Sequence, residues 1–228
     1  MLLLTQLDRE SLLHLFSFLD KESRWCLSLT CLRLRRIFLE PSLWPCLHFH
    51  SPAELLRGHF LLGPTLRHLS ICWYSTRIVK VCNVEEWAKS PLQRDICAQH
   101  RDAVSRLLRR VCQRCPNLQC LTLSGCGHVT DGDLALVLQS CPSLRSLQLE
   151  NCVCITDRTL DAASAGGAPA LCSLRVDFCR NVTQEGLQRL RRERPSLVLQ
   201  AERSADMIPD EAPRCRALGR TFQKLLWN

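Results

Sequence analysis

The chain has 228 residues, of which 46% are hydrophobic and 6% aromatic, and carries a formal net charge of +8. That apolar share is enough for a packed interior, which excludes a largely disordered chain, and no run approaches the roughly 18 apolar residues of a membrane span. Sixteen cysteines accompany an N-terminus that lacks the basic region and apolar stretch of a signal peptide, so the chain is expected in the cytoplasm or nucleus, where a disulfide framework does not persist.

In chain order, the first predicted element is an amphipathic helix. Leu12, Leu15, Phe16 and Leu19 recur at i, i+3, i+4 and i+7, with Thr5 or Asp8 as the cap and an end near Asp20. Two more short helices follow, one after Asp20 holding Trp25 and Leu27, the other holding Leu34, Ile37 and Phe38. A three-helix unit this small hides little apolar surface and gains from packing on a neighbour or a partner.

Beyond about residue 41 the pattern changes. Cys115-Pro116-Asn117-Leu118, followed by Leu121, Leu123, Cys126, Val129, Thr130 and Asp131, returns as Cys141-Pro142-Ser143-Leu144 with Leu147, Leu149, Cys152, Ile155, Thr156 and Asp157. A third copy runs Ala168-Pro169-Ala170-Leu171 with Leu174, Val176, Cys179, Val182 and Thr183. Pro116, Pro142 and Pro169 stand 26 and 27 residues apart, the period of a stacked solenoid. Alternation at Leu121 and Leu123 predicts a short strand buried on one face, and Thr130 with Asp133 predicts a capping box ahead of a helix carrying Leu134, Val137 and Leu138. Copies of this unit must stack to bury their apolar faces, giving an α/β solenoid with parallel strands on the concave side and helices on the convex side.

Earlier copies are degenerate. Pro64, Leu66, Leu69 and Ile71 fit the strand phrase, whereas the copy at Leu92 puts Asp95 in a core-leucine slot, the mark of a distortion or an insertion. Its helix returns at Val104, Leu107, Leu108, Val111 and Cys112. Pro195 and Leu197 open a final, incomplete copy, and Leu218, Phe222, Leu225 and Leu226 suggest a closing helix after a loop marked by Pro209 and Pro213.

The repeat accounts for the cysteines. Cys126, Cys152 and Cys179 fall in one column, one per copy, where a small apolar thiol packs and parallel side chains cannot surround a tetrahedral ion. Cys112 and Cys115 make a lone C-x-x-C with no second pair, so no metal or cofactor is expected. Seven scattered histidines and the absence of G-x-S-x-G or a phosphate loop leave no catalytic grouping. Arg106, Arg109 and Arg110, like Arg189, Arg191 and Arg192, read as solvated helix faces or as an attraction for an acidic protein partner. No aromatic and basic platform supports nucleic acid as a partner.

Two sets of residues carry a family resemblance. The phrase from Cys115 to Leu190 resembles the cysteine-containing leucine-rich repeats. Leu7, Glu10, Leu12, Leu15-Phe16-Ser17-Phe18-Leu19-Asp20, Leu29-Thr30-Cys31 and Pro41-Ser42-Leu43-Trp44 resemble an F-box, with Asp8 in place of the usual proline and Leu34 in place of the usual tryptophan. Together they resemble the F-box and leucine-rich-repeat family. The resemblance implies an F-box over 1–46, repeats over 47–200 (clear copies 115–140, 141–167 and 168–193, degenerate ones within 47–114) and a tail or cap over 201–228. It implies a non-catalytic substrate receptor that docks on Skp1, and through it a cullin-RING core, by Leu7, Asp8, Leu12, Leu15, Phe16, Leu19, Leu27, Leu43 and Trp44. The outward strand positions Gln148, Glu150, Arg175 and Asp177 are the expected surface for a protein substrate. The alternative is a repeat scaffold that binds a partner without recruiting a ligase.

Overall fold

The computed structural model describes residues 4–72 and 91–202. Helices α1 (Arg9–Ser17), α2 (Lys21–Ser28) and α3 (Leu32–Phe38) open the chain. Asp8, rather than Thr5, caps α1: its carboxylate accepts the Ser11 N–H at 2.7 Å, and Asp20 takes the Ser23 N–H at 2.7 Å to start α2. α1 stops at Ser17, short of the expected end, because Asp20 is extended and already belongs to the next helix.

Six strands follow in one parallel sheet ordered as in the chain: β1 (Cys46–Phe49), β2 (His68–Cys72), β3 (Cys120–Ser124), β4 (Ser146–Glu150), β5 (Ser173–Asp177) and β6 (Val198–Gln200). Helices α4 (Pro52–Arg57), α5 (Pro91–Arg114), α6 (Asp131–Ser140), α7 (Asp157–Ser164) and α8 (Gln184–Glu193) connect them. The expected α/β solenoid is the observed fold. Register places Leu69, Leu121, Leu147 and Leu174 in one buried column and Ile71, Leu123, Leu149 and Val176 in the next. Burying each such side chain contributes about 1.5–3 kcal/mol, and only stacking makes that burial available.

One element differs from expectation, and the expected irregular and incomplete copies take definite form. β1 was not foreseen as a strand, since its phrase lacks the repeat's spacing, yet Leu47 and Phe49 alternate inward and pair with Leu69 and Ile71. The copy at Leu92 contributes no strand: Leu92 and Asp95 lie within α5, and β2 pairs directly with β3, His68 opposite Cys120. A carboxylate in a core slot is too costly to bury, so the sheet omits that copy and the segment is carried as an insertion. The final copy is reduced to the three residues of β6. The expected helix at Leu218, Phe222, Leu225 and Leu226 lies outside the described residues.

Head and arc share one core. Leu12, Phe16, Leu34, Ile37 and Phe38 close on Leu43 and Trp44, and that cluster runs on into Leu47, Phe49 and the leucine columns. Lys21 donates to the His48 carbonyl and to Glu54 at 3.1 Å, lies 4.7 Å over the Phe49 ring, and so ties α2 to β1 and α4.

Successive repeats are also joined by a polar clamp. Asp131, in the first turn of α6, accepts the Thr156 N–H at 2.9 Å and the hydroxyls of Thr156 at 2.8 Å and Thr159 at 2.6 Å. One repeat on, Asp157 accepts the Thr183 N–H at 2.8 Å and its hydroxyl at 2.6 Å. Gly186 makes room for the second clamp, because a Cβ there would lie 2.4 Å from Asp157 Cγ. Gly132 is the contrast, its nearest neighbour to an added Cβ being Thr130 Oγ1 at 3.8 Å. Gly186→Ala should therefore cost about 1–3 kcal/mol, whereas Gly132→Ala should be neutral or stabilise by up to about 1 kcal/mol. Urea unfolding of the two variants checks the difference, and equal stabilities would contradict the clamp.

Candidate interaction surfaces

The head presents two kinds of apolar residue. Of the residues expected to meet an adaptor, Leu12, Phe16, Leu43 and Trp44 are interior, Leu7, Leu15, Leu19 and Leu27 are half-buried, and Asp8 is exposed as the α1 cap. The surface is made instead by residues that the helical spacing did not single out. Phe18 (76% exposed), Leu29 (63%), Leu32 (76%) and Leu39 (49%) are four of the seven large exposed hydrophobics among the described residues, so exposed apolar surface is concentrated on the head. They sit just after α1, α2 and α3 or, for Leu32, at the start of α3, where side chains escape the inward stripe.

Arg24 ties the end of α1 to the Leu43–Trp44 segment. Its guanidinium donates to the carbonyls of Phe16 at 2.8 Å, Leu43 at 2.7 Å and Ser17 at 3.2 Å, and it lies 5.1 Å from the Trp44 ring centroid. The Trp44 indole in turn donates to the Phe38 carbonyl at 2.8 Å. An Arg on an otherwise polar stretch gave no sequence signal for this role, which only the fold assembles.

The caps carry charge as well as geometry. Asp8 is held below the usual carboxylate range by the Ser11 hydroxyl and N–H, and Asp20 by the Ser23 N–H and hydroxyl. Because both folded pKa values are depressed, the caps contribute fully above the ordinary carboxylate range and are lost as pH falls through the lowered values. Thermal unfolding should therefore lose stability on acidification with a shallower slope in a D8N/D20N variant than in the parent. Identical slopes would show that the caps do not titrate with folding.

On the arc, the concave positions run in register from His48 through Ser70, Thr122 and Gln148 to Arg175 and Gln200. Gln148 and Arg175 are exposed and Glu150 is half-buried, accepting the Ser124 hydroxyl at 2.8 Å. Asp177 departs from the expected outward position: it is 2% exposed, bonded by the Arg175 Nε and by the Glu202 N–H at 2.9 Å. Alternation sets the face of the strand, but the end of the strand lets this carboxylate fold under the next backbone segment.

The cysteine column has a defined partner set. Cys126, Cys152 and Cys179 donate to the carbonyls of Ile71 at 3.7 Å, Leu123 at 3.6 Å and Leu149 at 3.8 Å, each one strand back. A hydrogen bond with Cys179 and burial push the Cys152 thiol well up. Among the described residues no group of His, Cys, Asp or Glu is placed to hold a metal ion. In the native protein iodoacetamide should modify the exposed Cys26, Cys46, Cys154 and Cys172 and spare Cys126, Cys152 and Cys179 until the chain unfolds. Cys152→Ser should cost about 1–3 kcal/mol, since it puts a stronger polar group in an apolar slot. Rapid labelling of Cys152 in folded protein would contradict this placement.

A sheet of in-register leucine columns behind a small three-helix head defines a leucine-rich-repeat protein with an F-box-type N-terminus. The chain belongs to the F-box and leucine-rich-repeat family. It is 61% identical over 213 residues to mouse F-box and leucine-rich protein 22, an alignment covering 93% of this chain and 89% of the mouse protein. Human F-box and leucine-rich protein 22 is 57% identical over 111 residues, which span 49% of this chain and 44% of the human protein. No protein-family model matches the chain.

Proposed function

We infer that the chain is the substrate-receptor subunit of an SCF-type ubiquitin ligase, docking on Skp1 through its head and presenting a protein target on its repeats. The observation that carries this reading is the exposed apolar set Phe18, Leu29, Leu32 and Leu39 on a unit whose own core is already filled by Leu12, Phe16, Leu34 and Trp44. Exposed apolar side chains gathered on one small unit mark an interaction site, and in this family that unit is the F-box. On this reading Phe18, Leu29, Leu32 and Leu39 meet the adaptor together with the half-buried Leu7, Leu15, Leu19 and Leu27. Leu12, Phe16, Leu43 and Trp44 act by holding the face in shape. The chain supplies no catalytic residue, and the chemistry of ubiquitin transfer belongs to the cullin-RING core.

The target is assigned to the concave strand face around Gln148, Glu150 and Arg175, with Asp177 fixing the Arg175 guanidinium from below. Charges so placed influence encounter and register more than raw affinity.

Co-expression with Skp1 tests the reading. The parent chain should co-purify with Skp1 in equal amount, and Leu29→Glu with Leu32→Glu should abolish this while the melting temperature stays within a few degrees, because both positions are exposed. Gln148→Ala with Arg175→Glu should leave Skp1 binding intact. A stable, soluble chain that fails to bring down Skp1 would favour the scaffold alternative, in which the repeats bind a partner without a ligase.

A further inference from the structure

Helix α5 differs from every later helix of the arc in its charge. Its inner stripe, Ala103, Val104, Leu107, Leu108 and Val111, is buried. Its outer stripe, Arg106, Arg109, Arg110, Gln113 and Arg114, is exposed and recurs at i, i+3, i+4, i+7 and i+8, so four arginines share one side of the helix. From Arg106 to Arg114 this stripe runs about 12 Å along the axis, at roughly 1.5 Å per residue.

Acids are sparse along it. The acids of α5 are Asp95 and Asp102, both ahead of the stripe, and from Ala103 to Thr130 the chain contains neither Asp nor Glu. The acids of neighbouring α6 are committed elsewhere, Asp131 to Thr156 and Thr159, and Asp133 to Thr130 at 3.1 and 2.8 Å and Ser105 at 3.1 Å. Arg109, Arg110 and Arg114 have no ion-pair partner among the described residues. Arg110 repels Arg114 at the i, i+4 spacing, so this pair is kept at a cost to the helix. Beside it, at the position of α6 that corresponds to Arg110 one repeat on, Leu136 is 37% exposed, the one large hydrophobic that α5 to α8 leave in solvent among the described residues.

We propose that the convex face of α5 and α6 is a second docking surface, built for an acidic amphipathic helix of a protein partner. Carboxylates at i, i+1 and i+5 spacing or their near neighbours on that helix would pair with Arg109, Arg110 and Arg114, whose planar guanidinium groups donate to carboxylates bidentately. One apolar residue beside them would cover Leu136. Nucleic acid fits less well, because single strands are held by aromatic stacking platforms and Phe178 is the one aromatic between residues 91 and 202. An anionic membrane would need several apolar side chains around the charges, and this face offers Leu136 alone. The surface is separate from the head and from the concave strands, so it stands or falls independently of the ligase reading.

The test uses the full chain and a fluorescein-labelled helical peptide with glutamates at i, i+1 and i+5 and a single flanking leucine. The parent should bind it at physiological salt, and R109E/R110E should weaken binding by about tenfold or more, since both side chains are exposed and removing them disturbs no packing. R191E/R192E makes the same charge change on α8 and should alter affinity by less than about twofold, while L136A should weaken it severalfold. Matching far-ultraviolet spectra and melting temperatures establish that the variants are folded. Equal losses in the α5 and α8 variants would reduce the effect to net charge and overturn the proposal. Tighter binding of an oligouridylate or of phosphatidylserine vesicles, or no binding of the peptide by the parent, would overturn it as well.

Discussion

A carboxylate that opens one helix and closes on the next repeat is the constraint on which the arc depends. Hydrophobic stacking is indifferent to small slides along the strand, since leucine on leucine is favourable over a range of offsets. The Asp131 and Asp157 clamps are not, because each satisfies a backbone N–H and a hydroxyl at fixed distances. They set the offset at which the leucine columns align, and with it the alternation that turns Gln148 and Arg175 to the concave side. The same carboxylates keep helix N-termini satisfied, so capping and register are one interaction.

The head obeys a different economy. Its core is too small to be rigid on packing alone, and Arg24 supplies what packing lacks by gathering the carbonyls at the end of α1 and beside Trp44 into one half-buried fork. Because that core continues into Leu47 and Phe49, the arc supports the head from beneath. The outer apolar side chains can then remain in solvent without the unit collapsing around them.

Much of this was legible from residue order. The 26- and 27-residue periods, the Thr130 capping box and the cysteine column all express local rules of spacing, and the structure realises them. What escaped is what depends on contacts between distant residues. β1 carries only Leu47 and Phe49 as a strand signal and becomes a strand because β2 offers it an edge. Asp131 reads as a helix start, and nothing in its own repeat shows that its carboxylate serves the following one. Asp177 occupies an outward slot by alternation but is covered by residues 25 positions on. For the head, helical spacing identified the stripe that packs inward, while the exposed face lies at the helix ends, where periodicity stops being informative.

The omission of a strand between β2 and β3 also shapes how the chain reaches its native state. His68 and Cys120, neighbours in the sheet, are 52 positions apart, whereas Cys120 and Ser146, and Ser146 and Ser173, are separated by 26 and 27. Closing a loop of twice the length costs about 0.6 kcal/mol more in chain entropy, and among the described residues no intermediate strand shares the span. Folding should therefore nucleate among β3, β4 and β5, where contacts are most local, and spread outward as in other repeat arrays. β1, β2 and the helical head join later as a second cooperative unit across the β2–β3 seam. Under load or mild denaturant that seam is where the molecule would part, releasing an intact C-terminal arc from an intact N-terminal half.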